Sequence, residues 1–489
     1  MKVRTLAIVG GGSSAWLTAA YLSNNNPNIK ICIIDKEFGN PIGVGEATLL
    51  SFKFFMEECG FDIHDWFIPL SAGYKSGILF KNWKEVTEDI WHPFYKGPRM
   101  INNIDTTWNI WSRCQKLDFK KYALAHYDGA VIHNSVDFNQ IEQYAFHIDC
   151  LELVKFLQNK LKNNVEIIKS DVVKTHYKSS DIIDFLELKN GRQIFSDLYI
   201  DCTGLHNVLK TPKERVDTSD RLFVNAAVAT HAQYKNKDLE FAPYVTCEAV
   251  DHGWVWQIPI QSRIGTGMVF NKNITDPLVA KQYFVEYWNH RIKIEDLNFI
   301  NWDPFYVKNQ WAGNVISIGL SAGFIEPLES TSIAITTYAI GQLSMALNER
   351  YYTDYDRNNF NIQMSMLFED CIDFVSMHYD KNNRTSDFWK YVASMFKPSK
   401  RMLHYVEELA DPAIDVPTKG KFNYMFYGVN WTLWLQQLGY KIAPRNTSIS
   451  EELASNLLLQ NFTINEKYRN IWSRHQNSEI KRIIDISNI

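Results

Sequence analysis

Four apolar residues in a row, Leu6, Ala7, Ile8 and Val9, break off at three glycines, Gly10–Gly12. After Ser13 and Ser14 the apolar positions change period: Ala15, Trp16, Ala19, Ala20 and Leu22 cover one face of a helix. The run predicts a buried parallel strand, and the whole reads strand, glycine turn, helix. A second apolar run, Lys30–Asp35 (KICIID), predicts the next strand. The Pro and Gly of Asn40–Thr48 predict a loop, and Leu49–Cys59 a helix. Tyr144–Leu157 predicts a helix with Asp149 near its start, followed by strands at Val165–Ile168, Val172–Val173 and Asp197–Asp201. In Gly253–Pro259 (GWVWQIP), Trp254, Trp256 and Ile258 alternate and so share one strand face. Val315, Ile316 and Ile318 predict a further buried strand. From Ile333 a helix runs on, with Ile333, Ile340, Leu343 and Leu347 on one stripe. Beyond residue 350 glycines thin out and helical stretches dominate: Met364–Met377, Phe388–Phe396, Leu403–Leu409 and Trp431–Leu438. The pattern predicts an α/β nucleotide-binding module over 1–350 and a mainly helical C-terminal region, 351–489, packed on it.

The opening stretch has the form of a phosphate cradle. Gly10 permits the tight turn, and Gly12 lets backbone approach a pyrophosphate. Ser13, Ser14 and the small Ala15 begin the helix whose free N–H groups face the anion. Asp35 ends the second strand about 20 residues on, where a carboxylate takes ribose hydroxyls. Asp201–Gly204 (DCTG) after a late strand suits a chain returning to a nucleotide-binding sheet, by fold analogy.

Composition narrows the setting. The chain has 489 residues and a net charge of −4, which points to neither nucleic acid nor an anionic membrane. Seven cysteines occur singly with no C-x-x-C, so neither a disulfide framework nor a zinc site is indicated. No apolar run reaches membrane-spanning length, and the first strand leaves no room for a signal peptide. A reducing, cytoplasmic setting is expected. Aromatic residues reach 14%, which suits a site for a flat ligand as well as a core.

Several polar residues stand in informative places. Glu46, among glycines, either bonds a ligand or is solvated. Lys75 lies in an otherwise apolar stretch, Tyr74–Trp83, whereas nearby Lys81 is a plain surface charge. His92 and Phe94, two apart in WHPF, suit an aromatic pocket or equally a packed pair. Gly319–Gly323 (GLSAG) formally matches the hydrolase elbow with Ser321 as nucleophile. Pro327, however, interrupts the helix the elbow requires, and Gly319 serves instead as a close backbone approach to a cofactor.

Together these residues resemble the flavin-dependent halogenases of the tryptophan-halogenase type, over nearly the whole chain. GGGSSAW resembles the family's glycine loop, and IGVGEAT at 42–48, with Gly45, Glu46 and Ala47, its segment over the flavin. Trp254, Trp256, Ile258 and Pro259 reproduce W-x-W-x-I-P. Phe324, Pro327 and Ser330 reproduce F-x-x-P-x-x-S-x-G, except that Ser332 stands for the final glycine. HYDKNNRTSDFW, His378 to Trp389, resembles a further signature. The resemblance implies a Rossmann-type FAD-binding module of the flavin monooxygenase kind. It also implies FADH2 from a separate flavin reductase, a halide ion oxidised to hypohalous acid, and a small electron-rich aromatic substrate. Lys75 matches the catalytic lysine, Glu329 and Ser330 the acid and serine of the halogenation site, and Thr331 and Ser332 the halide-binding amides. His92 and Phe94 match substrate-pocket positions. A serine at 332 in positive-φ backbone would be strained, and an altered halide pocket there predicts a preference for bromide or iodide. A flavin monooxygenase hydroxylating an aromatic substrate is the alternative on the same fold. A homo-oligomer is compatible with either.

Overall fold

The structure is a computed structural model. It describes residues 2–35, 46–86, 89–94, 100–101, 104–105, 144–206, 208–209, 214–348, 351–411, 425–426 and 428–441, with positions 443, 450, 452 and 456. The chain divides into two interleaved units. The first takes Met1–Ala72, Ile148–Ser219 and Trp302–Glu369; the second takes Gly73–His147, Asp220–Asn301 and Asp370–Ile489.

The first unit is built on a six-stranded sheet. Its order is Glu166–Lys169, Lys30–Asp35, Thr5–Val9, Leu198–Asp201, Val315–Ser317 and Trp311–Ala312. All neighbours are parallel except the last pair. Near-continuous apolar runs suit such strands, which are covered on both faces: Leu6, Ala7 and Ile8 are fully buried. Helix Ser13–Asn25 follows the first strand and packs against helices Cys150–Leu161 and Thr331–Leu347. Asn26, at its C-terminal end, exchanges hydrogen bonds with Ser344, 3.3 Å to the backbone oxygen and 2.7 Å from the hydroxyl. A small antiparallel sheet, Val172–Ser179, Ile182–Leu188 and Gln193–Ile194, closes one side of the core with Ile183, Leu186 and Leu188.

The second unit is organised by a seven-stranded sheet of order Asn298–Asn301, Ala226–Ala232, Ile264–Phe270, Gly253–Pro259, Val245–Val250, Gly77–Lys81 and Ile90–Pro93. Trp254 and Trp256 lie on its fourth strand, both buried. Gly267 lies opposite Trp256, and a Cβ there would overlap the indole ring, so glycine makes room for tryptophan.

The α/β class with a helical C-terminal part is as the sequence predicts: helices occupy Asp354–Met377, Asp387–Met395, Lys400–Ala410 and Gly428–Gln437. One element differs. Tyr144–Leu157 is not a single helix. Ala145–Ile148 is a strand paired antiparallel with Gly73–Lys75, and the helix begins at Cys150. Asp149 is the reason: its carboxylate accepts from the Leu151 and Glu152 amides, at 2.9 and 3.4 Å, and so caps the helix there. No helix among the described residues is long and apolar enough to cross a membrane.

Candidate active site

In the first unit the glycine loop lies at the carboxyl end of the Thr5–Val9 strand, where the strand order reverses, the switch point at which open α/β sheets bind ligands. Gly10 has φ +135°, and a Cβ there would overlap the Cys202 carbonyl oxygen, so only glycine fits. Gly12 is the N-cap of helix Ser13–Asn25, makes no side-chain cap, and has no described residue other than its chain neighbours within 4 Å of where a Cβ would stand. The first amides of the helix thus face open space, as an anion requires. Ala15 is buried beneath them. Gly319, at φ +75°, lies so close to Ser14 that a Cβ would overlap its hydroxyl, which brings the GLSAG turn onto the loop. Ser321 itself is buried, and its hydroxyl donates to the Asp201 carbonyl and, at 3.0 Å, to that of Ile318.

Asp35 is buried at the end of its strand and forms an ion pair with Lys169. One carboxylate oxygen lies where a side chain on Gly11 would stand, so the middle glycine accommodates the acid. Neither Gly11 nor Lys169 stood out in the sequence, because their partner is remote in the chain. Glu46 and the buried Ala47 form a short strand. The Cys150 thiol donates to the Glu46 carboxylate and also bonds Ser13. Burial pushes Glu46 up to about 7, against the thiol's hydrogen bond and with the nearby Asp149 charge. Gly45 lies outside the described residues.

Glu326–Thr331 (EPLEST) enters helix Thr331–Leu347 through a turn at Leu328–Ser330. Glu329 (φ 63°, ψ 4°) and Ser330 (φ 59°, ψ 37°) are both left-handed. Two such non-glycine residues in succession store about 1–3 kcal/mol each. Glu329 is buried, and Ser330 does not cap the helix. Thr331 is buried, and its hydroxyl has no hydrogen-bond partner among the described residues. Ser332 is exposed in right-handed helical backbone, and its carbonyl accepts from Thr336 at 2.8 Å. The left-handed strain expected at 332 therefore sits at 329 and 330 instead.

In the second unit Lys75 is fully buried on strand Gly73–Lys75, with Nζ 4.8 Å from the centre of the half-buried Phe94 ring. Lysine is almost never so buried without a role or a partner. Lys81, by contrast, is partly exposed and pairs with Glu248 at 3.3 Å. His92 is buried between the rings of Phe374 (5.5 Å) and Trp434 (6.4 Å). The 378–389 signature is a packing partner of the W-x-W strand. The Trp254 indole donates to Tyr379 at 3.1 Å, and Trp389 donates to the Val250 carbonyl at 2.8 Å. His147 lies on the strand beside Lys75 and was missed because its segment reads as helix.

A mostly parallel sheet with a glycine-lined helix start at its switch point has the architecture of the dinucleotide-binding α/β class. The sequence profile of the family described as tryptophan halogenase matches residues 5–452, and the chain belongs to that family. The tryptophan 6-halogenase ThaL of Streptomyces albogriseolus is 28% identical over 419 residues, 80% of this chain and 78% of that protein. The tryptophan 7-halogenase RebH of Lentzea aerocolonigenes is 27% identical over 416 residues, with 80% and 78% covered. The crystal structure of the tryptophan 6-halogenase SttH of Streptomyces toxytricini has the same fold, with a TM-score of 0.83 at 22% identity, covering 98% of this chain and 100% of that one. The protein is a flavin-dependent halogenase, an oxidoreductase that needs FADH2, and halogenation is favoured over hydroxylation.

Proposed function

We propose that this chain binds FAD, reduced by a separate flavin reductase, and halogenates an electron-rich arene of the indole, tryptophan-like or phenol class. Bound reduced FAD supplies, with oxygen, the two-electron oxidation of a halide ion to hypohalous acid. The residues present fit that cofactor: the space over Gly12 is open to a pyrophosphate, and a Cβ would fill it. Gly10, Gly12, Ser13, Ser14 and Ala15 form the cradle, Asp35 takes ribose hydroxyls, and Gly45, Glu46, Ala47 and Gly319 complete the cofactor's surroundings. The amides of Thr331 and Ser332, at a helix N-terminus, hold the halide, and the Thr331 hydroxyl, without a partner among the described residues, suits the same anion.

Lys75 receives the hypohalous acid and aims it. His92 and Phe94 flank the arene. Glu329, supported by Ser330, takes the proton lost from the ring or polarises the oxidant. The observation that carries this reading is the complete burial of Lys75 against an aromatic ring. We place the activity in the cytoplasm, where the described cysteines, none of them in a disulfide, stay reduced. The test supplies FAD, a reductase, oxygen, and chloride, bromide or iodide to a panel of indoles and phenols, and weighs the products. Halide-dependent mass gain supports the reading, and hydroxylated product without halide overturns it.

A further inference from the structure

The fully buried His147 has no part in the roles assigned above. In the antiparallel pair it faces Gly73 while Ala145 faces Lys75. Residues two apart on a strand share a face, so Lys75 and His147 are diagonal neighbours on one side of the ribbon, a separation that long side chains bridge. His147 Nδ1 lies 2.8 Å from the Pro259 carbonyl oxygen. A carbonyl only accepts, so Nδ1 carries the hydrogen and Nε2 keeps a lone pair. That lone pair has no partner among the described residues. A buried polar atom left unpaired calls for a ligand or a role. Burial, and then the Lys75 charge, push the imidazole down to about 3, so it is neutral.

The surroundings fix this tautomer. Pro259 is the last residue of the W-x-W-x-I-P strand, and its carbonyl lies 3.3 Å from where a Cβ on Gly73 would stand, with the Phe241 ring at 3.0 Å. A side chain at 73 would press on both, so glycine there keeps the carbonyl where His147 can reach it.

We propose that His147 Nε2 is the second ligand of the oxidant that Lys75 handles. It accepts the O–H hydrogen of hypohalous acid, whose oxygen accepts a hydrogen from Lys75 Nζ. The proposal rests on the reading of Lys75 given above. With oxygen and hydrogen both held, the halogen is the one end left free to meet the arene. On transfer, carbon bonds the halogen and the halogen–oxygen bond breaks with its electron pair going to oxygen. Lys75 gives that oxygen a proton, completing water, and the proton lost from the ring, taken up first by Glu329 and then released to solvent, is balanced by the one that restores the Lys75 ammonium. Arene and hypohalous acid thus give haloarene and water, and His147 gains and loses no proton.

Two substitutions separate this role from a structural one. His147→Asn keeps a donor near the Nδ1 position for Pro259 and loses the acceptor. His147→Gln places an amide oxygen near Nε2 and loses the bond to Pro259. Each variant is given FAD, reductase, bromide and an indole, with a soluble β-diketone to trap hypobromous acid that escapes. The expected result for His147→Asn is about a tenfold fall in haloindole per reduced flavin consumed. The missing bromine appears on the diketone, while flavin content and oxygen uptake stay as in the wild type. His147→Gln is expected to stay within about threefold of the wild type. Wild-type coupling in His147→Asn, or a loss in His147→Gln as deep as in His147→Asn, overturns the assignment. Lys75→Ala is run alongside. Normal haloindole from that variant overturns the reading of Lys75, whereas its inactivity beside a fully coupled His147→Asn removes His147 alone.

Discussion

Substituting Gly12 by valine tests the cofactor cradle with little interference from folding. The backbone at 12 is extended (φ −83°, ψ −179°), open to any residue, and apart from its chain neighbours no described residue lies within 4 Å of the new Cβ. The folded chain loses only the preference for glycine over valine at an N-cap, about 1 kcal/mol. In a chain of this size that lowers the thermal midpoint of flavin-free protein by no more than about 3 °C. The valine methyls instead fill the space that the pyrophosphate needs. At FAD near 100 times its dissociation constant the wild type gains about 2.7 kcal/mol from binding, which Gly12→Val forfeits. Gly10→Val is the contrasting control: with φ +135° and the Cys202 carbonyl in the way, it destabilises the protein itself. The assay is the absorbance of protein-bound flavin, with melting curves with and without added FAD. A Gly12→Val protein that holds wild-type flavin, or whose melting still rises with FAD, refutes the cradle.

Lys75→Ala is expected to abolish halogenated product while FAD stays bound and oxygen is consumed, read by product mass beside oxygen uptake. Glu329→Gln should lower kcat about a hundredfold or more with KM little changed, as for a group acting in the transition state; a change confined to KM makes Glu329 a binding residue. Glu46, raised to about 7 by burial, is penalised in the folded protein once it ionises, so its contribution falls as pH rises from about 4.5 to about 7. Glu46→Gln should therefore melt higher than the wild type at pH 8 and level with it near pH 4, as thermal scans of flavin-free protein will show. Ser332→Gly, at an exposed right-handed position, should leave product ratios in mixed chloride, bromide and iodide unchanged, whereas Thr331→Val should shift them.

What could be read from the sequence was local. The glycine loop announces itself because strand, turn and helix are consecutive, and the W-x-W strand because its period is two. The helix stripe from Ile333 to Leu347 is buried as the spacing requires. Pairings across the chain were invisible. Nothing near Gly11 says that Asp35 lies over it, and nothing near Asp35 names Lys169. Tyr144–Ile148 could be read as the first turn of the next helix because its apolar residues suit either element. Pairing with Gly73–Lys75 makes it a strand and sets His147 beside Lys75. The left-handed pair at 329 and 330 was likewise hidden, since neither glutamate nor serine advertises that backbone.

The order of strands in the parallel sheet also sets a timetable for synthesis. Thr5–Val9 leaves the ribosome before the strands that flank it, and its sheet is completed only when Leu198–Asp201 and then Val315–Ser317 arrive. At about 5–20 residues per second, that is roughly 15–60 s after the glycine loop has emerged. Until Gly319 follows and closes on Ser14, the loop has its sequence but not its cradle. On the cofactor reading proposed above, flavin capture is therefore a late event in the birth of the chain. Through that interval an apolar strand waits with one edge bare, the kind of exposure that chaperones cover and that slower synthesis at low temperature prolongs but makes less prone to aggregation.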